Sequence, residues 1–240
     1  MVLKVDNLTK RYHNGRGINS ISFSVDDGDI FGLLGPNGSG KTTTMKIIVG
    51  LMKPDSGSVE IFSNKIDDIQ EKYLRDVGCL IEAPALYDFL SARKNLEIAA
   101  SYYDDIDDYR IEEMLNITGL VKFQNEKVKE FSLGMKQRLG LALALISNPK
   151  LVILDEPANG LDIEGMVSIR KIIMNENREK GTTFLISSHL AHELEIMCNK
   201  IAVMKEGRLL SVATMEEALK KGSLEAYFME TINKTDGGLQ

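Results

Sequence analysis

The chain has 240 residues, enough for one large or two modest domains, and its 43% hydrophobic and 27% charged residues are ordinary for a folded globular protein. No stretch reaches the roughly 18 consecutive apolar residues of a membrane-spanning helix, and the opening Met1-Val2-Leu3-Lys4-Val5-Asp6-Asn7 lacks the apolar core of a secretory signal. A formal net charge of −6 argues against nucleic acid as the main partner, and the two cysteines, Cys79 and Cys198, read as free thiols of a reducing, cytoplasmic compartment.

The alternation in Leu3-Lys4-Val5-Asp6-Asn7-Leu8 predicts an edge-type strand. Ser20 to Val25 predicts a second strand antiparallel to it, with Ile21, Phe23 and Val25 on one face. Tyr12, in the loop between them, is either a surface aromatic or a platform on which a flat base stacks. Ile30 to Leu34 is the apolar run of a buried strand, and Thr43 to Val49 reads as a helix. Between them, Gly35-Pro36-Asn37-Gly38-Ser39-Gly40-Lys41-Thr42 matches the phosphate-binding pattern G-x-x-x-x-G-K-[ST]. Its glycines let the backbone curl so that successive N–H groups point at phosphates, and the helix adds the positive end of its dipole. Lys41 supplies a charge for the outer phosphates, and the Thr42 hydroxyl is a ligand for Mg²⁺.

Further along, Met52 to Gly57 is a turn cluster and Ser58 to Phe62 a short strand. Val77 to Ile81 reads as a buried central strand ending at Glu82. Ligands bind off the carboxyl ends of strands in open α/β sheets, so Glu82 is a site candidate, against the alternative of a solvated strand end. Ser91 to Gly119 predicts two helices broken at Asp104 to Asp108, an acidic turn that lacks the glycine and terminal glutamate of a Ca²⁺ loop. Ser132 caps an apolar helix, Met135 to Ile146. With Lys136 and Arg138 nearby, its start is either an ordinary core-helix cap or a second anion-binding end.

Leu151 to Leu154 is an apolar strand that delivers Asp155 and Glu156 beside the phosphate loop. Asp155 there suits Mg²⁺, and Glu156 suits the general base that orients and deprotonates the attacking water. Asn159-Gly160-Leu161-Asp162 caps a helix whose apolar stripe, Ile163, Met166, Val167, Ile169, Ile172 and Ile173, reads as core. Thr182 to Ser187 is a strand closed by Ser188-His189, which puts His189 on the γ-phosphate side of the sheet. Lys200 to Val203 and Arg208 to Val212 form a hairpin around Glu206-Gly207. Thr214-Met215-Glu216-Glu217 is a capping box opening a C-terminal helix, and Lys234 to Gln240 reads as a tail.

In this order the motifs resemble those of the ATP-binding subunits of ABC transporters. Gly35–Thr42 looks like Walker A, Ile153-Leu154-Asp155-Glu156 like the end of Walker B, Asn159–Asp162 like the D-loop, His189 like the switch histidine and Tyr12 like the adenine-stacking aromatic. Phe131-Ser132-Leu133-Gly134-Met135 resembles the signature L-S-G-G-Q, with Leu133 and Met135 as departures and Ser132 and Gly134 kept. Glu82 takes the place of the Q-loop glutamine, a pattern similar to subunits of bacitracin- and lantibiotic-type exporters.

The resemblance implies an α/β fold: a P-loop NTPase core with a mostly parallel sheet, an N-terminal antiparallel β subdomain and an inserted α-helical lobe. It implies one domain over residues 1–232, with the core and β subdomain in 1–82 and 148–213, the lobe at about 90–147, a C-terminal helix at 214–232 and a tail at 233–240. ATP and Mg²⁺ are the implied cofactors. Tyr12, Gly35, Asn37, Gly38, Ser39, Gly40, Lys41, Thr42, Thr43, Ser132 and Gly134 would contact the nucleotide, Thr42, Glu82 and Asp155 the metal, and Glu156 and His189 would do the chemistry. The implied partners are a membrane-spanning transporter subunit, met around Glu82 to Leu96, and a second copy or a paralogue in an ATP-dependent dimer. The subunit would sit peripherally on the inner face of the cell membrane, powering export of a peptide antibiotic or drug. A soluble ABC-type assembly ATPase is the alternative. A GTPase is disfavoured because Asn199-Lys200-Ile201-Ala202 lacks the aspartate that reads guanine.

Overall fold

The structure is a computed structural model that describes residues 1–65 and 75–236. Four strands, β1 (Leu3–Arg11), β2 (Gly17–Val25), β4 (Ser56–Ile61) and β5 (Asn64–Lys65), form an antiparallel sheet in the order β2-β1-β4-β5. β1 therefore lies inside this sheet, not at its edge as its half-polar alternation suggests. Asn7, at φ 49°, sits in an interruption of the β1 ladders, between Val5 and Leu8 on the β2 side. Such a bulge lets one strand keep two partners while its polar residues face out.

A second, six-stranded sheet has the order β10-β9-β3-β8-β7-β6, built from β3 (Ile30–Leu34), β6 (Val77–Leu80), β7 (Leu151–Asp155), β8 (Thr183–Ser188), β9 (Lys200–Lys205) and β10 (Arg208–Thr214). All neighbours are parallel except the β9–β10 hairpin. Glu206 and Gly207 turn that hairpin at φ 50° and 73°, as a tight turn between twisted strands requires. The strand before Glu82, β6, is an edge strand, which corrects its reading as a central one. β3, β7 and most of β8 are buried throughout, as strands covered on both faces must be.

Helix α1 (Lys41–Ile48) lies between the sheets, where Met45, Ile47 and Ile48 pack with Ile21, Phe31 and Leu33. The Phe23 and Phe31 rings stack with centroids 5.3 Å apart across the same layer. The other face of the large sheet is covered by α2 (Ala92–Ala100), α3 (Asp108–Ile117), α4 (Leu133–Leu145), α5 (Ile163–Lys180) and α6 (Ala191–Met197). The first two fall either side of the acidic turn, and Asp107 caps α3 by accepting from Arg110 N.

Three local readings are corrected. Ile163, in the first turn of α5, is 76% exposed, and only Ile169, Ile172 and Ile173 of the expected stripe are buried. The C-terminal segment is two helices, α7 (Met215–Leu219), opened by the Thr214–Glu217 capping box, and α8 (Leu224–Asp236). Helix α8 runs on past residue 232, into the stretch read as tail, and residues 237–240 lie outside the described residues.

Glycine is required at two close contacts of the large sheet. A Cβ on Gly78 of β6 would stand 1.9 Å from the Ala144 carbonyl oxygen of α4. One on Gly35 would stand 2.4 Å from the Met204 carbonyl oxygen and 2.6 Å from Ser39 Oγ. Among the described residues no helix is long and apolar enough to cross a membrane.

Candidate active site

The loop after β3 wraps round the start of α1. Gly38 and Gly40 adopt φ 81° and 105°, which lets the backbone coil inward. The first-turn N–H groups of α1 have no carbonyl within the helix, so the loop offers donors and a positive dipole end to an anion. Lys41, 4% exposed, reaches back over the loop and donates to the Gly35 carbonyl at 2.7 Å and the Pro36 carbonyl at 3.2 Å. Its Nζ also lies 3.2 Å from Glu156 Oε1.

Parallel pairing of β3, β7 and β8 brings their carboxyl ends together, which is why residues far apart in sequence meet here. Thr42 Oγ1 donates to Asp155 Oδ2 at 2.7 Å. Ser187 Oγ donates to Asp155 Oδ1 at 2.5 Å and accepts from Glu156 N at 3.0 Å. Glu156 Oε2 lies 2.7 Å from His189 Nδ1. The array Thr42–Asp155–Ser187–Glu156–His189 is continuous, and Lys41 joins it to the phosphate loop. Glu156 sits at φ 47°, a left-handed conformation unusual for a non-glycine residue. Its N–H is held by the Ser187 hydroxyl and by the Ser187 carbonyl, the latter at 3.2 Å.

Ser187 is the residue that the sequence reading passes over. It pairs with Asp155 in the β7–β8 register, a relation no local motif encodes. The only sequence signal for it is a polar residue closing an apolar strand just before His189.

Tyr12 is 38% exposed, with its hydroxyl 3.3 Å from Thr43 Oγ1 and 3.2 Å from Met52 Sδ. A cavity of about 360 Å³ runs from Tyr12 past Asn14, Arg16 and Gly17 to Asn37, Gly38, Gly40, Lys41, Thr42, Thr43 and Glu156. It has an aromatic wall at one end and the phosphate loop at the other, the dimensions and polarity of a nucleotide. The Thr42 hydroxyl and Asp155 carboxylate are hard oxygen donors beside that loop and fit Mg²⁺. Among the described residues no group of three or more His, Cys, Asp or Glu could hold a metal, so a cation here would share its coordination with phosphates.

Two predicted residue sets lie apart from this array. Glu82 has φ 63° and its carboxylate rests on Lys46 Nζ at 2.7 Å, not on the Thr42–Asp155 pair. Ser132 caps α4, accepting from Met135 N at 3.3 Å, and Gly134 packs near Leu161. Among the described residues no hydrogen bond or ion pair joins Ser132 or Gly134 to the phosphate loop of the same chain.

A phosphate-binding loop whose lysine reaches a carboxylate at the end of the neighbouring strand is the arrangement of a P-loop ATPase. Comparison with known proteins places it more narrowly. Residues 18–159, more than half of the chain, match the family described as ABC transporter, and the chain belongs to that family. It is 40% identical over 220 residues to the bacitracin transport ATP-binding protein BcrA of Bacillus licheniformis, covering 92% of this chain and 72% of that protein. It is 41% identical over 209 residues to the lantibiotic transport ATP-binding protein SrtF of Streptococcus pyogenes, covering 87% and 89%. Among solved structures, a dimeric ATP-binding cassette, MJ0796, in a post-hydrolysis state bound to ADP and Pi superposes with a TM-score of 0.80 at 28% identity, covering 89% of this chain and 98% of that one. The chain is thus an ATP-binding, ATP-hydrolysing subunit of the ABC transporter family, whose members work with membrane subunits.

Proposed function

We propose that residues 1–232 form one ATP-binding domain that powers export of a peptide antibiotic or similar drug through a separate membrane-spanning subunit, from the inner face of the cell membrane. The observation that carries the ATPase chemistry is the unbroken array from Lys41 through Glu156 to His189. The substrate class is supported by the relatives named for bacitracin and lantibiotic transport.

In this reading Tyr12 stacks the adenine, and Gly35, Asn37, Gly38, Ser39, Gly40, Lys41, Thr42 and Thr43 hold the phosphates. Thr42 and Asp155 hold Mg²⁺, which neutralises phosphate charge when bound. Glu156 takes the proton of the attacking water. His189, hydrogen-bonded to Glu156, holds that carboxylate in place and faces the γ-phosphate. Ser132 and Gly134 serve a second cassette, a copy of this chain or a paralogue, in a head-to-tail ATP-bound dimer, which accounts for their separation from their own phosphate loop. Glu82 reaches the metal by leaving Lys46.

The membrane subunit would meet the loop after Glu82. Tyr87 and Phe89 there are 47% and 67% exposed, with ring centroids 6.1 Å apart, while Leu90 is half-buried. Beside them a groove of about 360 Å³ is lined by residues of β6, by Ala83, Pro84 and Ala85, and by Gly140, Leu143 and Ala144 of α4. An apolar rim beside a groove suits an inserted helix. The loop is fastened to the helical lobe: Lys136 Nζ lies 3.2 Å from Asp88 Oδ1, Lys129 N donates to the Asp88 carbonyl at 2.8 Å, and Val128 N donates to the Leu90 carbonyl at 2.9 Å.

Pull-down of the tagged chain from detergent-solubilised native membranes tests this reading. A polytopic membrane protein among the partners supports it and narrows the substrate; soluble partners alone would overturn the transport claim. His189→Ala is expected to lower ATP turnover by about 10²-fold, the scale of one lost electrostatic contact in a preorganised site. Hydrolysis near the wild-type rate would remove His189 from the chemistry.

A further inference from the structure

Tyr12 and Arg16 face each other across the turn that joins β1 to β2. The last ladder pair is Arg11 with Gly17, and Tyr12 N donates to the Arg16 carbonyl at 2.8 Å. Tyr12 and Arg16 are therefore the next cross-strand pair, and directly opposed residues send their side chains out on the same face of the ribbon. The register is held firmly. Gly17 has φ 142°, and a Cβ there would stand 1.8 Å from the Lys10 carbonyl oxygen. Asn14 Oδ1 accepts from Arg16 N at 3.1 Å inside the turn.

Both side chains line the cavity that ends at Lys41 and Thr43. Arg16 is exposed, and among the described residues its guanidinium has no ion-pair or hydrogen-bond partner. Lys41 already supplies the cation at the phosphate end. Arg16 stands at the opposite end, beside the aromatic. A planar, weakly hydrated guanidinium lies flat against a π-face, which a compact ammonium does not do.

We propose that Arg16 is a base-recognition residue, its guanidinium closing the side of the nucleotide base that Tyr12 leaves open. This rests on the reading of Tyr12 as the base platform. The hairpin then works as a pincer with one aromatic and one cationic arm, and it sets nucleotide affinity through the base and not through the phosphates.

Calorimetric titration of the full chain with ADP, beside competition by inorganic tripolyphosphate, tests this. Arg16→Ala is expected to weaken ADP binding about 5- to 10-fold, the scale of a cation–π contact with a partly desolvated ring, and to leave tripolyphosphate unchanged. Arg16→Lys should not restore the loss. Arg208→Ala, which removes a second exposed arginine from a wider cleft of about 830 Å³ that Tyr12 and Arg16 also line, should alter neither ligand. Unchanged ADP affinity in Arg16→Ala, an equal loss of tripolyphosphate, or an equal loss in Arg208→Ala would each overturn the proposal. Wild-type chain that failed to bind ADP would instead overturn the ATPase reading beneath it.

Discussion

Replacing Glu156 with glutamine is expected to lower ATP turnover by about 10²- to 10⁴-fold, the range for losing a positioned general base, while ATP binding persists. Glutamine keeps the length of the side chain and a carbonyl oxygen for Lys41 Nζ, which lies 3.2 Å from Glu156 Oε1. It cannot take a proton from water. It also removes a negative charge from beside the phosphates, so ATP should be held at least as tightly. With hydrolysis blocked and nucleotide retained, the ATP-bound dimer should accumulate, and size-exclusion chromatography with and without ATP reads this directly. Turnover within a few-fold of wild type would show that the base lies elsewhere. A profile that stays monomeric with ATP would count against the sandwich dimer.

Gly78→Ala should destabilise the fold strongly. The added Cβ would meet the Ala144 carbonyl oxygen at 1.9 Å and Pro149 Cγ at 3.2 Å. The first of these is backbone and cannot turn aside, so α4 or β6 must shift. Overpacking of a core typically costs about 1–3 kcal/mol, and a backbone contact belongs at the top of that range or above. For a domain of this size about 3 kcal/mol lowers Tm by roughly 6–12 °C. Circular dichroism melting of the variant checks it, and a Tm within about 2 °C of wild type would mean that α4 is less closely seated on β6 than the structure shows.

Much of the architecture is legible in the sequence because its signals are local. The phosphate loop is one run of consecutive residues, Asp155 and Glu156 end a plain apolar strand, and the Thr214–Glu217 box opens a helix within one turn. What escapes the sequence depends on which strands become neighbours. β1 is interior and β6 is an edge because of sheet order, and alternation along a single strand does not report its neighbours. Ser187 meets Asp155 only through the β7–β8 register. Glu82 rests on Lys46, a residue on a helix separated from it in the chain by β4, β5 and β6. Ile163 fits the periodicity of a buried stripe yet is exposed, since the first turn of α5 lies at the surface and full burial begins only at Ile169.

The fastening of the Asp88 loop to the start of α4 can be considered as a mechanism in the engineer's sense. The side chain of Lys136 and the backbone of Val128 and Lys129 secure the loop at separate points, which couples Asp88 and Leu90 to the start of α4 in the manner of a crank. Gly140, midway along α4, and Gly78, which faces Ala144 near its far end, sit where helix and strand or loop are in close approach and a Cβ would collide. A crank with a tight bearing at one end turns instead of sliding. On the proposed function, a load applied at Tyr87 would reach Ser132 as a change of angle, with the length of α4, about 1.5 Å per residue, as the arm that sets how far.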